Sequence, residues 1–366
     1  MRTGAALPSF GHATRSYETW IGAQCAVVRR DLERKHRRIT KSRFDFFRGT
    51  FYRWAQRWPI VCRNLSDAPR ALAVGDLHAA NFGTWRDCDD RLVWGVNDFD
   101  EAFELPYTQD LVRLASSVLV AVGEDYLALG GKAACRTIVE GYAASLATGG
   151  EPIVLAERHR KLRAALYLKR RDDPVRFWRD AAGLPPVRAK VPPLVDEGFK
   201  AVLPRGASYR VFTRGGGVGS LGRPRYVAIG EWQGGCVGCE AKAVVRSAWA
   251  WAVGESPRGR IFADHLQGLA VRSPDPHLHL SARWLFRRFG PESGRLELKD
   301  DVGPDTSRLL LHAMGWEAAN VHLGSAAARA PILRDLANRR SDWLFAAATR
   351  MKQTVESDWD AWRSLR

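Results

Sequence analysis

The sequence predicts an α+β protein of two lobes, a small antiparallel β lobe set into a larger helical one. Three observations predict it. The texture runs from helix-rich to strand-rich and back to helix-rich. A proline-rich stretch, LPPVRAKVPPL at 184–194, marks the first change of texture. A chain of 366 residues suits two domains, or one large domain with two lobes. The expected boundaries are 1–200 for the helical part, 201–300 for the β-rich part and 301–366 for helices returning to the first.

In chain order, residues 16–60 carry apolar positions at helical spacing with few breakers. Two short β-like runs come next, Ala71–Val74 and Leu92–Val96, each leading into an acidic cluster. QDLVRLASSVLVAV at 109–122 predicts a strong helix, and 132–147 and 153–171 read as helical too. Beyond the proline-rich stretch, Tyr209–Thr213, Arg225–Ile229 and Val237–Val245 are strand-like and separated by glycines. A helix is expected over 246–270, and a strand pair at Trp284–Phe289 and Arg295–Leu298, split by GPESG. The tail reads as helix at 305–323 and 331–363.

Composition narrows the function classes. Hydrophobic residues are 46% and charged residues 26%, which excludes wholesale disorder. No apolar run of 18 residues exists to span a membrane. The opening MRTGAALPSF lacks the basic-then-apolar pattern of a secretory leader, which predicts a cytoplasmic protein. Six scattered cysteines in so large a chain fit reduced thiols. The net charge of +16 favours anionic partners, and it rests on 46 Arg against 10 Lys. Its local peaks, Arg34-Lys35-His36-Arg37-Arg38 and Lys169-Arg170-Arg171, read as solvated helix faces. No dedicated nucleic-acid module is visible.

The densest chemistry is VGDLHAANFG and then VNDFDEAFELPYTQDL, between Val74 and Asp110. Gly75 permits a tight turn after a strand, with Asp76 and Asn81 five apart beyond it. Asp98 and Asp100 come after the second strand and, by alternation, point to one side of it. Clustered carboxylates stay ionised only if a cation or donors compensate them. Oxygen-only ligands suit Mg²⁺, so one acid could serve a hydroxyl while others hold a metal. The plain alternative is that these residues cap turns and helices, as Asp110 is expected to do for the helix it opens.

Residues 215–222 read GGGVGSLG, a G-x-G-x-x-G at Gly217, Gly219 and Gly222 with Ser220 inside it. The β-like RYVAI comes after it, so the loop joins strand to strand, the arrangement in which a glycine loop covers ATP phosphates, rather than strand to helix as in a dinucleotide site. Lys242, on the strand after next, could reach the same phosphates; its acidic partner is open among Glu240, Glu255 and Asp264. Cys236 and Cys239 form one C-x-x-C, read as a hairpin turn because zinc needs two further ligands.

GDLHAAN and VNDFDE resemble the H-G-D-x-x-x-x-N catalytic loop and I-D-F metal-binding segment of aminoglycoside and choline phosphotransferases, of the protein-kinase-like fold. The motif's histidine is Val74 here. The resemblance implies that Asp76 takes the proton of the attacking hydroxyl, that Asn81 and Asp98 hold Mg²⁺ bridging ATP phosphates, with Asp100 a further candidate ligand, and that Asp110 braces the loop. His78 has no counterpart and reads as a packing residue. The glycine loop and Lys242 come after the catalytic loop, the reverse of kinases, which implies circular permutation.

The whole chain also resembles the bacterial family catalogued as domain of unknown function 2252. The shared landmarks are F-x-R-G at Phe46–Gly49, G-D-x-H-x-x-N-F-G at Gly75–Gly83, N-D-F-D-E at Asn97–Glu101, D-L-x-R-L-A-x-S at Asp110–Ser117, G-x-G-S-x-G at Gly217–Gly222, Lys242 and a tail helix ending near His322. The expected function is an ATP- and Mg²⁺-dependent phosphotransferase acting on a hydroxyl of a small-molecule acceptor, with Arg48 near the site or packed in the first helices. The alternatives are a nucleotide-binding regulatory module without turnover, an AMP transferase, and a metal-dependent phosphohydrolase using Asp76, His78, Asp98 and Asp100. The acceptor would sit against 125–205 and 330–366.

Overall fold

Four helices fill the start of the chain in a computed structural model, which describes residues 7–122, 129–155, 157–167, 173–188, 190–295 and 303–365. They run Phe10–Gly22, Arg29–Lys41, Arg43–Gly49 and Phe51–Val61, so the helical stretch read over 16–60 is interrupted three times. Serines open two of them. The Ser9 and Ser42 hydroxyls accept from the backbone N–H groups of His12 and Asp45, satisfying donors that have no partner inside the helix.

Strands β1 (Arg70–Ala73), β2 (Phe82–Arg86), β3 (Leu92–Val96) and β4 (Phe103–Pro106) come next. β1 pairs with β4, and β2 with β3, all antiparallel. Helices Tyr107–Val122 and Gly131–Thr148 lie where the sequence puts them. The helix read over 153–171 instead begins as β5 (Ile153–Val154), which pairs with β3, and continues as helix Arg160–Tyr167. The Lys169-Arg170-Arg171 peak lies outside the described residues. Helices Pro174–Ala182 and Pro193–Val202 border the proline-rich stretch.

Five antiparallel strands form the β-rich part: β6 (Ser208–Thr213), β7 (Arg225–Trp232), β8 (Gly235–Ala243), β9 (His279–Ser281) and β10 (Trp284–Arg288), in the order β6-β7-β8-β10-β9. Alternation divides the faces. Ala228, Cys239, Ala241 and Phe286 pack with Val195 and Phe199 of helix Pro193–Val202. On the other face Val227 packs with Ala181 and, in part, with Phe177 and Trp178 of helix Pro174–Ala182. Cys236 and Cys239 lie within β8 rather than in a turn; the turn is Gln233-Gly234, and all six cysteines are free.

Two expectations fail here. The helix expected over 246–270 is two short ones, Ala248–Ala252 and Ala263–Leu269, because Gly254, Pro257 and Gly259 interrupt it. The expected hairpin around GPESG does not form. Both edges of β10 are occupied, by β8 and β9, so β11 (Gly294–Arg295) crosses to the edge of β2. Residues 296–298 of that expected strand lie outside the described residues.

The tail forms helices Pro304–Leu323, Arg329–Ala337 and Trp343–Arg363. Helix Pro304–Leu323 approaches Gly131–Thr148 backbone to backbone at Gly141 and Gly315. A Cβ at Gly141 would run into the His312 carbonyl, and one at Gly315 into the Ile138 carbonyl. Both helices belong to the principal core, which joins the first helices, β1–β4 and the tail. No helix among the described residues is long and apolar enough to cross a membrane.

Candidate functional site

β1 delivers the chain to Gly75, which has φ +80° and lies under the Glu101 carbonyl, where a Cβ would clash. Asp110, in the first turn of helix Tyr107–Val122, accepts from the N–H of Val74 at 2.7 Å and of Gly75 at 2.9 Å. It therefore pins the loop rather than capping its own helix, which corrects the capping expectation. His322 Nε2 stands 3.1 Å from the same carboxylate and His322 Nδ1 2.8 Å from the Tyr142 hydroxyl. All of these side chains are buried. Val74, where the phosphotransferase motif has histidine, joins this network through its backbone.

Asp76 faces the cleft. Arg113 Nε donates to its Oδ1 at 2.9 Å, and Arg113 Nη2 donates to the Phe47 carbonyl at 2.7 Å. The guanidinium is fixed by packing over Phe47, 3.6 Å from its centroid, and Trp54. Burial raises the Asp76 pKa above the usual carboxylate range, against the pull of Arg113. Asn81 Nδ2 donates to the carbonyls of Asp76 and Asp98 at 3.1 and 3.0 Å, which ties the two acidic segments together. His78 Nε2 lies 3.9 Å from Asp76 Oδ2.

The β-rich part contributes from across the cleft. In the β7–β8–β10 register Lys242 lies beside Arg225 and Leu285, and Glu240 beside Val227 and Arg287. Lys242 and Glu240, two apart on one strand, thus share a face. Lys242 Nζ lies 3.1 Å from Asp98 Oδ1 and 2.7 Å from Asp100 Oδ1. None of the three candidate acids is its partner. Glu240 is enclosed by Arg225, Arg214 and Arg287, whose guanidiniums overcome its burial and hold its carboxyl well below the usual range. Glu255 pairs with Arg246, and no ion pair joins Asp264 to Lys242.

The glycine loop joins β6 to β7, with a 3-10 turn at Val218–Ser220. Gly219 and Ser220 line a cleft together with Asp76, Asn81, Asp98 and Asp100. Arg48 lines it too. Gly217 and Gly222 do not line it; Gly217 starts the turn and the Gly222 carbonyl accepts from Val28 N–H. Lys242 meets the cleft through its two aspartates.

Three further cations, given no site role by the sequence motifs, belong to this region. Arg113 positions Asp76. Arg223, directly after the glycine loop, reaches Asp100 Oδ2 at 3.1 Å and Glu101 Oε1 at 3.2 Å. Lys35 lines the cleft from helix Arg29–Lys41 and is 6% exposed, so that basic peak is not wholly a solvated face. Its signal was present: Lys35 falls between Leu32 and Ile39 on the apolar side of the helix.

Among the described residues no three His, Cys, Asp or Glu side chains group in a way that could hold a metal ion. Asp98, Asp100 and the amide oxygen of Asn81 make a smaller all-oxygen set. That set fits Mg²⁺, which keeps one or two protein carboxylates when phosphate oxygens and water complete its shell. Lys242 balances the two carboxylates, together with Arg223 at Asp100.

Residues 28–176 match the family model described as Uncharacterized protein conserved in bacteria (DUF2252). The chain is similar to that family over those residues. No curated protein and no solved structure matches the chain. The DUF2252 segment contains Lys35, Arg48, Asp76, Asn81, Asp98, Asp100 and Arg113; the glycine loop and Lys242 lie beyond it.

Behind the site, Glu317 accepts from Val96 N–H at the end of β3, with Arg272 nearby. Burial raises its pKa to about 7, opposed by Arg272. Between its ordinary value and about 7 only the folded chain holds the proton, so this contribution to stability is full in acid and declines as pH rises through about 7. The span corresponds to at most about 3 kcal/mol. Glu317→Gln is expected to flatten the dependence of stability on pH over that window, as read by urea unfolding at about pH 5 to 8; an unchanged slope would rule the group out.

Proposed function

We propose that the protein is an ATP- and Mg²⁺-dependent phosphotransferase acting on a hydroxyl of a small molecule, on a circularly permuted protein-kinase-like fold. One observation carries this reading. A buried lysine of the five-stranded sheet meets two aspartates of the helical part, one of them 144 residues earlier, beside a cleft that the tip of the glycine loop also lines. A permuted order is supported by the path of the chain, since the five-stranded sheet comes after the acidic loops and helix Pro304–Leu323 then returns to the same core.

In this reading Asp76 accepts the proton of the acceptor hydroxyl. Its raised pKa makes it a better base than an exposed carboxylate, and Arg113 holds it in place. Asn81, Asp98 and Asp100 would hold the metal, and Lys242 would turn from the carboxylates to the phosphates. Mg²⁺, when held there, would supply positive charge to offset that of the phosphates.

Titration calorimetry with ATP is expected to show binding that strengthens with Mg²⁺, and Asp98→Ala should lose the metal-dependent part. Absence of binding at millimolar nucleotide with Mg²⁺ or Mn²⁺ rejects the proposal. A regulatory nucleotide-binding module without turnover is the second reading, favoured because among the described residues no helix glutamate pairs with Lys242. It predicts thermal stabilisation by ATP with no phosphate transferred to any alcohol in a screen.

A further inference from the structure

Helix Arg29–Lys41 holds a cation whose position costs energy and whose structural use is not evident. Lys35 is 6% exposed, on the same side as Ile39, which is 1% exposed. Burying an ammonium forfeits hydration, and proteins ordinarily recover it through a hydrogen-bonded carboxylate. Among the described residues no hydrogen bond or ion pair reaches the Lys35 ammonium. The carboxylates whose fields it feels, Glu18, Glu101 and Asp76, each lie close to another side chain: Glu18 to His36 at 2.6 Å, Glu101 to Arg223 at 3.2 Å and Asp76 to Arg113 at 2.8 Å. Burial lowers the Lys35 pKa to about 8, and Arg223 adds to the fall.

Its place in the cleft indicates what it would bind. A Cβ built on Gly49 would lie 3.3 Å from Val218 of the glycine-loop turn and 3.6 Å from Lys35 Cε. Lys35 thus stands beside the tip of the glycine loop, in the same cleft as Asp76, while Lys242 is occupied with Asp98 and Asp100. An ammonium with three donors and no protein acceptor suits a compact anion with several oxygens. A phosphoryl group supplies both the charge and the oxygens.

We propose that Lys35 is a phosphate-binding residue of this cleft, holding the terminal phosphoryl group of the nucleotide at the end where Asp76 lies. The assignment of the anion to a nucleotide rests on the phosphotransferase reading above; the anion site itself does not.

The test uses the full chain and the variants Lys35→Met and Lys35→Arg, with ATP, ADP and inorganic tripolyphosphate titrated in Mg²⁺. Lys35→Met is expected to weaken ATP and tripolyphosphate binding by about tenfold or more and ADP binding by about twofold or less, with Lys35→Arg recovering part of the loss. Without ligand, Lys35→Met is expected to melt several degrees higher than wild type, because it removes a buried charge and keeps the packing. A purely structural lysine would give the opposite shift, so a lower melting temperature overturns the proposal. If Lys35→Met retains wild-type affinity for ATP, the Lys35 site falls and the nucleotide reading stands. If wild type binds tripolyphosphate through Lys35 and fails to bind ATP, the anion site stands and the nucleotide reading falls. Binding of neither overturns both.

Discussion

Lys242→Met should destabilise the protein by about 3–5 kcal/mol with no ligand present, since it removes the cation from a buried ion pair and leaves the carboxylates behind. Lys242 is 2% exposed, and its ammonium lies within 3.1 Å of both Asp98 and Asp100. Methionine fills the same space without the charge, so the two neighbouring carboxylates would keep Arg223, which pairs with Asp100 at 3.1 Å, and lose the cation they share. Urea unfolding at neutral pH measures the loss. The same variant should gain more stability from millimolar Mg²⁺ than wild type does, because a divalent cation can replace the missing charge. Equal stability of variant and wild type would show that the lysine contributes no balance at this site. Nucleotide affinity, where wild type has it, should fall along with stability.

Asp110→Ala is the second large effect. Three donors converge on this carboxylate: the N–H groups of Val74 and Gly75, and His322. A buried donor left without an acceptor costs about 1–3 kcal/mol, so three of them put the loss at roughly 3 kcal/mol or more. The loss should be local as well as global. Hydrogen exchange at the Val74 and Gly75 amides is expected to speed up before the rest of the core opens. Unaltered protection at those two amides would contradict the role given to Asp110. Asn is a poor substitute here, because its amide nitrogen would meet a donor.

Asp76, Asn81 and Asp98 could be singled out in the sequence because they fall within 23 residues of one another, next to strands whose apolar runs are visible. The glycine loop was legible for a similar local reason, since the β-like RYVAI directly after it marks a strand-to-strand connection. Partners were harder. Lys242 meets acids from the far side of the chain, and the three acids nearest to it in sequence or expected next to it are engaged elsewhere or apart. Lys35 and Arg113 were hidden by abundance: with 56 basic residues, charge density does not say which ones turn inward. The position of β11 depended on which strand edges were already filled, and that is a property of the assembled sheets.

The stretch that matches the family model cannot be taken as a self-sufficient piece. Cut at residue 176, the chain would bare the glycine-smoothed side of helix Gly131–Thr148, strip the outer neighbour from β2, and leave Asp110 without His322. The acids of the cleft would also lose their lysine. Silence from such a shortened protein in any assay would report a damaged scaffold and say nothing about the chemistry of the intact one.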